Sequence, residues 1–314
     1  MNQTTPLRMK IGIILPLGEG MMEGASPRWH GSPSDRSTSL LAMTRRIEEL
    51  GYDSIWVVDH LVIERAGGEK SGVWECWSLV SAIAAITTRV EIGTLVLSNS
   101  FRNPALVAKM ADTVDEISDG RLILGIGAGW HEPEYKAFGF PYDHRASRFE
   151  EGVQIIHGLL KHGQIDFDGR YYQVRDCELR PRGPRPNGPP IMIGTSGPRM
   201  LQLTAQYADS WNVYFDKTDN RPESLTPLNA QLDAACHDLS RDPKTLERTA
   251  SVAIGVDGRS RAHNVAPQLI TGSLDQIASE LRRYAGHGIT HLQIRVEPNT
   301  LASIEQLAPV LDML

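Results

Sequence analysis

The sequence predicts an α/β fold, a (β/α)8 TIM barrel with loop insertions, and three observations carry that prediction. Short apolar runs alternate with segments of helical period, and such pairs recur eight times along the chain. The apolar runs are nearly continuous rather than alternating, as expected of strands buried on both faces of a parallel sheet. Eight βα repeats within 314 residues also match the size of such a barrel. The competing architecture is a doubly wound open sheet. It is weakened because no single βα turn holds a full GxGxxG followed by an acidic residue.

The elements follow in order. Lys10–Leu15 (KIGIIL) is the first strand; Leu40, Met43, Ile47 and Leu50 then share one helical face, which Gly51 ends. Ser54–Val58 is the second strand, followed by Trp77, Val80, Ile83 and Ala84 at helical spacing. Val90–Leu97 is the third. Asn103 caps the next helix with Pro104 in its first position, and Val107, Met110, Val114 and Ile117 form its stripe before Gly120. Leu122–Ile126 is the fourth strand, and Phe149, Val153, Ile156 and Leu160 form the stripe after it. The Gly/Pro-rich stretch 163–189 interrupts the rhythm, and its DFDGRYYQV reads as a surface hairpin. Pro190–Ile193 and the helix Arg199–Ala208 resume it, then Ser210–Tyr214 with Leu228, Leu232, Ala235 and Leu239. Ala250–Val256 is the seventh strand, and Ser273 with Gln276 makes a capping box ahead of Leu274, Ile277, Leu281 and Tyr284. His291–Val296 is the eighth, closed by a helix carrying Leu301, Ile304, Leu307 and Leu311. A single barrel domain over 1–314 results. Its surplus beyond about 250 residues falls in insertions at about 17–37, 163–189 and 257–272.

Composition narrows the function. The chain has 32 Lys+Arg against 38 Asp+Glu, a net charge of −6, with no basic block longer than two residues, which argues against a nucleic-acid partner. Cys76, Cys177 and Cys236 are widely spaced without a CxxC, so neither a disulfide framework nor a structural zinc site is expected. No apolar run approaches the ~20 residues of a membrane span, and MNQTTPLRMK has no signal-peptide core. A cytoplasmic enzyme or binding protein acting on a small molecule is the expectation.

In such a barrel the site lies where the strands end. After strand two stand Asp59 and His60, an ionisable pair in which His60 could move a proton or could be a structural imidazole. Gly125, Gly127 and Gly129 alternate at the end of strand four; they either clear the mouth for a flat ring or allow close packing. Gly194, Thr195, Ser196 and Gly197 lie between strand five and a helix start, a setting for phosphate on backbone N–H groups, or a plain turn with Ser196 as cap. Asn212 lies on strand six. His144, Arg145 and Arg148 face either the mouth or solvent. Arg180, Arg182 and Arg185 lie among prolines and either meet an acidic cofactor tail or sit in a solvated linker. Trp29, Trp74 and Trp130 fall in loops that would rim the mouth and either wall a flat ligand or pack in the core, the general role of Trp. No strand-end Lys and no HxH in strand one point to a Schiff-base aldolase or a metal hydrolase, and no metal site is expected.

ISDGRLILGIGAGWHEPEY (Ile117–Tyr135) resembles the most recognisable segment of the luciferase-like monooxygenases and F420-dependent oxidoreductases. GYDSIWVVDH, RVEIGTLVL with FRNPALVAKM, the DGRYY hairpin, PPIMIGTSGPRMLQLTAQYADSWN and SLDQIASELRRYAGHGITHLQI fit in the same order, so the likeness covers nearly the whole chain. The resemblance implies hydride transfer between reduced coenzyme F420 and a small organic substrate. Flavin mononucleotide (FMN) is the alternative cofactor and an FMN-dependent monooxygenase using dioxygen the alternative activity. A barrel lyase or isomerase acting on a phosphorylated substrate is more remote, and ligand binding without turnover remains a third reading. Carried over by position, Asp59 and His60 are ring contacts. Leu95 and Val96 are a bulge, often with a non-proline cis peptide, behind the ring. Gly127, Ala128 and Gly129 are the strand-four contact, and Gly194, Thr195, Ser196 and Gly197 hold the phosphate. His60 is the implied proton-transfer residue and a homodimer the implied assembly. Related sugar-phosphate dehydrogenases carry a catalytic Glu where this chain has Trp130, which sets that substrate class apart. The insertion at 17–37, with Met21, Met22 and Trp29, is a candidate lid.

Overall fold

A computed structural model of the protein describes residues 8–18, 40–64, 67–256 and 268–314. The candidate lid, with Met21, Met22 and Trp29, and most of the insertion at 257–272 lie outside the described residues. In chain order the elements are β1 (Lys10–Ile14), α1 (Leu40–Glu49), β2 (Ser54–Val57), β3 (Val62–Glu64), β4 (Lys70–Gly72) and α2 (Cys76–Ile86). Next come β5 (Glu91–Thr94), β6 (Leu97–Ser98), α3 (Pro104–Ile117), β7 (Leu122–Gly127), α4 (Glu132–Phe138) and α5 (Arg145–His162). Then follow β8 (Gln164–Asp168), β9 (Gln173–Glu178), β10 (Ile191–Gly194), α6 (Pro198–Tyr207), β11 (Ser210–Val213) and α7 (Leu225–Asp238). The chain ends with β12 (Glu247–Gly255), α8 (Leu274–Gly286), β13 (His291–Glu297) and α9 (Leu301–Leu307).

The parallel strands β1, β2, β5, β7, β10, β11, β12 and β13 pair in that order, and β13 pairs back onto β1. This is the expected closed (β/α)8 barrel. The caps form as read: the Asn103 side chain accepts from Ala105 N at 2.9 Å and Leu106 N at 3.2 Å, and Ser273 with Gln276 completes the capping box. The DFDG hairpin is β8 paired antiparallel with β9. Two features depart from the expectation. The third strand is broken at Leu95–Val96, a cis peptide, and resumes as β6 against β7. The short pair β3–β4 and the seven-residue α4 were not expected, because segments so short carry no readable period.

Burial on both faces explains the continuous apolar strands. Ile11, Ile13, Ile55, Val57 and Ile92 pack with the helical stripes in one cluster, whereas Ile14, Trp56, Leu95 and Met192 form a second. Since residues alternate along β1, the second cluster fills the barrel interior. Trp56 is its largest member and is fully buried. Side chains at Gly12 on β1 or Gly93 on β5 would collide with its indole, so both flanking strands carry glycine there. Below the indole, Trp56 Nε1 donates to Ser54 Oγ at 2.7 Å, and Ser54 Oγ lies 2.6 Å from His291 Nε2. Nearby, Asn212 Nδ2 donates to Thr249 Oγ1 at 2.9 Å and Gln293 Oε1 at 2.7 Å. Asn212 is therefore part of the interior network.

The proline stretch after β9 is neither a solvated linker nor near the mouth. Arg185 makes a two-point bond to buried Asp115 of α3, at 2.9 and 2.5 Å, and donates to the carbonyl of Leu122 at 2.5 Å. Arg182 donates to Asp112 at 3.2 Å and to the carbonyl of Leu160 at 2.7 Å. Leu122 starts β7, so this strap crosses the face opposite the strand ends. Arg180 pairs with Glu178 at 2.5 Å and is otherwise exposed. For Arg182 and Arg185 the readings as cofactor-tail contacts or solvated groups both give way to a structural clamp, whereas Arg180 is solvated. Among the described residues no helix is long and apolar enough to cross a membrane.

His291 makes the fold acid-sensitive. Burial, then the charge of Lys10, lowers its imidazole to about 3 from the ordinary 6.5. A base held neutral in the fold but protonated when unfolded contributes stability above the unfolded value, and loses it as pH falls towards the folded one. Unfolding free energy should therefore drop by up to about 1.4 kcal/mol per pH unit below pH 6.5. Denaturant titrations across that range should show a shallower slope in His291→Gln; an identical slope would exclude this imidazole as the cause.

Candidate active site

The strand ends are organised by two buried carboxylates. Asp59, just past β2, has no exposed side-chain surface. Its Oδ2 accepts from Ser98 N at 2.8 Å and Arg102 Nη1 at 2.9 Å, and its Oδ1 from Arg102 Nη2 at 3.0 Å. Burial raises its carboxyl, with the guanidinium opposing. Arg102 also pairs with Glu75, whose carboxylate caps α2 through Trp77 N and Ser78 N. Asp59 thus ties β2 to β6 and α2, and its carboxylate is engaged by protein rather than presented to a ligand.

Glu134, on α4, is the second. It is 1% exposed. Its Oε2 lies 3.0 Å from His60 Nδ1, and its Oε1 accepts from Leu61 N at 2.6 Å and Val62 N at 3.1 Å. Burial pushes this carboxyl up, but the bonds from His60 and the backbone outweigh it and hold the group below the ordinary carboxylate range. His131 Nε2 accepts from Glu64 N at 3.0 Å, and burial holds His131 below the usual histidine value. The segment after His60 is thereby stitched onto α4 at three backbone donors.

The glycines at the mouth are filled by named neighbours. A side chain at Gly125 would strike the Thr94 carbonyl; one at Gly127 or Gly194 would meet Val96 methyl carbons at 2.8 Å. Gly129 has φ +75°, and its open side is taken by the Tyr135 hydroxyl. Val96 therefore wedges between β7 and β10, placed there by the break at Leu95–Val96. The loop beyond β7 is clamped at successive carbonyls: Tyr135 Oη donates to Ala128 O at 3.1 Å, Arg145 Nη1 to Gly129 O at 2.7 Å and Tyr142 Oη to Trp130 O at 3.2 Å. Arg145 thus serves the loop, while Arg148 bonds the Asp143 carbonyl at 3.0 Å and lies over the Tyr171 ring at 4.5 Å. His144, in the left-handed region at φ 52°, packs beside the same Tyr171. Trp130 is 65% exposed and meets His60 edge-on at 5.6 Å; Trp74 is also exposed.

Gly194–Gly197 behaves differently. Thr195 N donates to Asn212 O at 3.0 Å, and Trp211 Nε1 to Thr195 O at 2.8 Å, which pins the loop to β11. Gly197 is the N-cap of α6 with no side-chain cap, so Ser196 does not cap. An added Cβ at Gly197 would meet nothing within 4 Å. Arg199, in the first turn, donates to Ser147 at 3.1 Å and Glu150 at 2.5 Å. Gly197 N donates to Thr195 Oγ1 at 3.3 Å and Pro198 has no N–H, so the loop combines open space with the remaining backbone donors of a helix start that has no N-cap side chain, a setting for an anion.

The structure therefore brings His60, Trp130 and His131 together, sets Val96 against Gly127 and Gly194, and turns Leu95 into the interior cluster with Ile14, Trp56 and Met192. A hollow of about 410 Å³ bounded by Glu64, Lys70, Glu132, Pro133, Lys136 and Ala137 lies beside α4 and holds no strand-end group. Among the described residues no group of three His, Cys, Asp or Glu is placed to hold a metal ion. Sequence reasoning missed Glu134, Arg102 and Glu75. An acidic residue in a helix first turn reads as favourable helix electrostatics, which hides the role of Glu134; the other two gain theirs only through the partner each meets in space.

Removing one partner of a buried pair strands the other charge, at a cost of about 3–5 kcal/mol. Arg102→Ala should lower stability by that order in thermal or denaturant unfolding, and Asp59→Asn added to it should recover part. Equal stability of Arg102→Ala and the unmutated protein would mean the pair contributes nothing.

Comparison with known proteins follows the same lines. The family model described as luciferase-like monooxygenase matches residues 9–272. The pyrimidine monooxygenase RutA of Acinetobacter baylyi is 30% identical over 331 aligned positions, covering 97% of this chain and 86% of that protein. RutA of Rhizobium rhizogenes is 32% identical, covering 81% and 70%. Among solved structures, an F420-dependent secondary alcohol dehydrogenase bound to an F420–acetone adduct superposes with a TM-score of 0.78 at 19% identity, covering 96% of this chain and 98% of that one. The monooxygenase RslO1 of Streptomyces bottropensis gives 0.76 at 18%, covering 96% and 97%. With its closed barrel and a family match spanning most of its length, the chain belongs to the luciferase-like monooxygenase family and is an oxidoreductase of that family.

Proposed function

We propose that this oxidoreductase is a monooxygenase working with reduced flavin mononucleotide on a small organic substrate. The observation that carries the reading is the Gly194–Gly197 loop, open and uncapped ahead of α6, which suits the phosphate of such a cofactor. The identity of 30–32% to pyrimidine monooxygenases supports oxygenation and makes a pyrimidine ring the first substrate class to test.

When bound, reduced flavin supplies two electrons to dioxygen, one oxygen atom entering the substrate and the other leaving as water. The protein supplies binding, orientation and proton handling. Backbone N–H groups at the start of α6 hold the phosphate. Leu95 and Val96 back the ring, with Gly127, Ala128 and Gly129 beside it. Asp59 holds Ser98 and Arg102 in place, so β6 keeps its position under the ring. His60 moves the proton, with Trp130 flanking its imidazole.

A second reading is hydride transfer with coenzyme F420, which also carries a phosphate. It is supported by the chain-wide resemblance set out in the sequence, which implies that cofactor. Titrating the apo-protein with each cofactor, followed by absorbance, separates the two. Micromolar binding of FMN alone, with oxygen consumption, supports the first reading; binding of F420 alone moves the assignment to the second; binding of neither removes both. Thr195→Glu places a carboxylate at the phosphate loop and should weaken cofactor binding by about tenfold or more, roughly 1.4 kcal/mol. Unchanged affinity would move the phosphate elsewhere.

A further inference from the structure

The two oxygens of Glu134 have divided tasks. Oε1 accepts two backbone N–H groups, from Leu61 and Val62, while Oε2 faces His60 Nδ1 at 3.0 Å. Two backbone donors already favour the ionised form of this carboxyl, and a carboxyl group is a stronger acid than an imidazole by about two pH units. The proton in the 3.0 Å contact therefore belongs to His60 Nδ1. In neutral His60 the lone pair then sits on Nε2, which has no hydrogen-bond partner among the described residues. The other groups around this imidazole do not compete: Trp130 meets it edge-on at 5.6 Å, His131 at 6.2 Å has its Nε2 occupied by Glu64 N, and the Glu64 carboxylate faces Lys70 at 3.9 Å. Asp59, next in the chain, is held by Arg102.

We infer that Glu134 is the positioning residue of the site: it fixes His60 as the Nδ1–H tautomer, presents Nε2 as a proton acceptor, and locks that choice to the backbone of the following segment. This rests on the reading of His60 as the proton-handling group. A carboxylate in this position sets both the tautomer and the ring orientation of its histidine.

The division of tasks makes one substitution diagnostic. In Glu134→Gln only one terminal atom can accept. The amide oxygen turns to the Leu61 and Val62 N–H groups, because an NH₂ there would face two donors. The NH₂ is then left against His60 Nδ1 and donates to it, which drives the imidazole proton to Nε2. Glu134→Gln should therefore invert the tautomer rather than merely loosen the ring.

The test is a long-range ¹H–¹⁵N spectrum of the ¹⁵N-labelled apo-protein in alkaline buffer, with His60→Ala to assign the resonances. The unmutated protein should show the Nδ1–H tautomer, Glu134→Gln the Nε2–H tautomer and Glu134→Ala a mixture. Nε2–H in the unmutated protein, or Nδ1–H retained in a folded Glu134→Gln, overturns the inference. If the variant does not fold, the unmutated spectrum still decides. In the loaded enzyme, turnover of Glu134→Gln should fall about 100-fold or more while cofactor affinity is kept. The tautomer readout needs no cofactor, so failure of the cofactor titration and failure of this inference are separate results.

Discussion

The indole of Trp56 lies in the barrel interior across the neighbouring strands β1 and β5, and both strands are built to its size. A barrel of eight parallel strands has to be filled by side chains. Here one large ring takes a share that several medium ones would otherwise fill, and Gly12 and Gly93 withdraw their side chains to admit it. The same interior cluster includes Leu95 and Met192, with Val96 packed against it. Val96 in turn wedges over Gly127 and Gly194, the last residues of β7 and β10. The floor of the mouth is thus continuous with the packing below it, and the break in the third strand is where the chain leaves regular pairing to supply that floor.

Charge is distributed by the same economy of space. The two carboxylates nearest the mouth are buried and fully engaged, Asp59 by Arg102 and Ser98, Glu134 by His60 and two backbone donors. Neither projects a free negative charge towards the Gly194–Gly197 loop. Each instead fixes a neighbour: Asp59 holds Ser98 and Arg102, and Glu134 holds His60 by one nitrogen, the other having no partner among the described residues. A net charge of −6 is therefore compatible with binding an anionic cofactor, since the local donors are backbone N–H groups and the nearby acids are already paired.

The architecture was legible because it depends on pattern. Eight apolar runs, the Asn103 cap, the Ser273–Gln276 box and the DFDG turn each state a local preference that the tertiary structure keeps. The positions of the strand-end residues followed from the same count, so His60, Val96 and Gly194 could be placed at the mouth before any contact was known. The failures have one cause. Arg182 and Arg185 look solvated among prolines, yet buried Asp112 and Asp115, about seventy residues away in sequence, hold them against α3. Gly125, Gly127 and Gly129 are read equally as cleared space or close packing, and only Thr94, Val96 and Tyr135, met in space, show close packing.

By itself the sequence determined the barrel, its strand order and the residues at its mouth, because periodicity and capping are local properties that each segment carries alone. Only the tertiary structure decided which of those residues are tied up by protein partners and which are not. The roles of Glu134, Arg102 and the two buried aspartates of α3 come from pairings between distant segments. The energy of a buried charge depends on the partner it meets in space, which no single stretch of sequence contains.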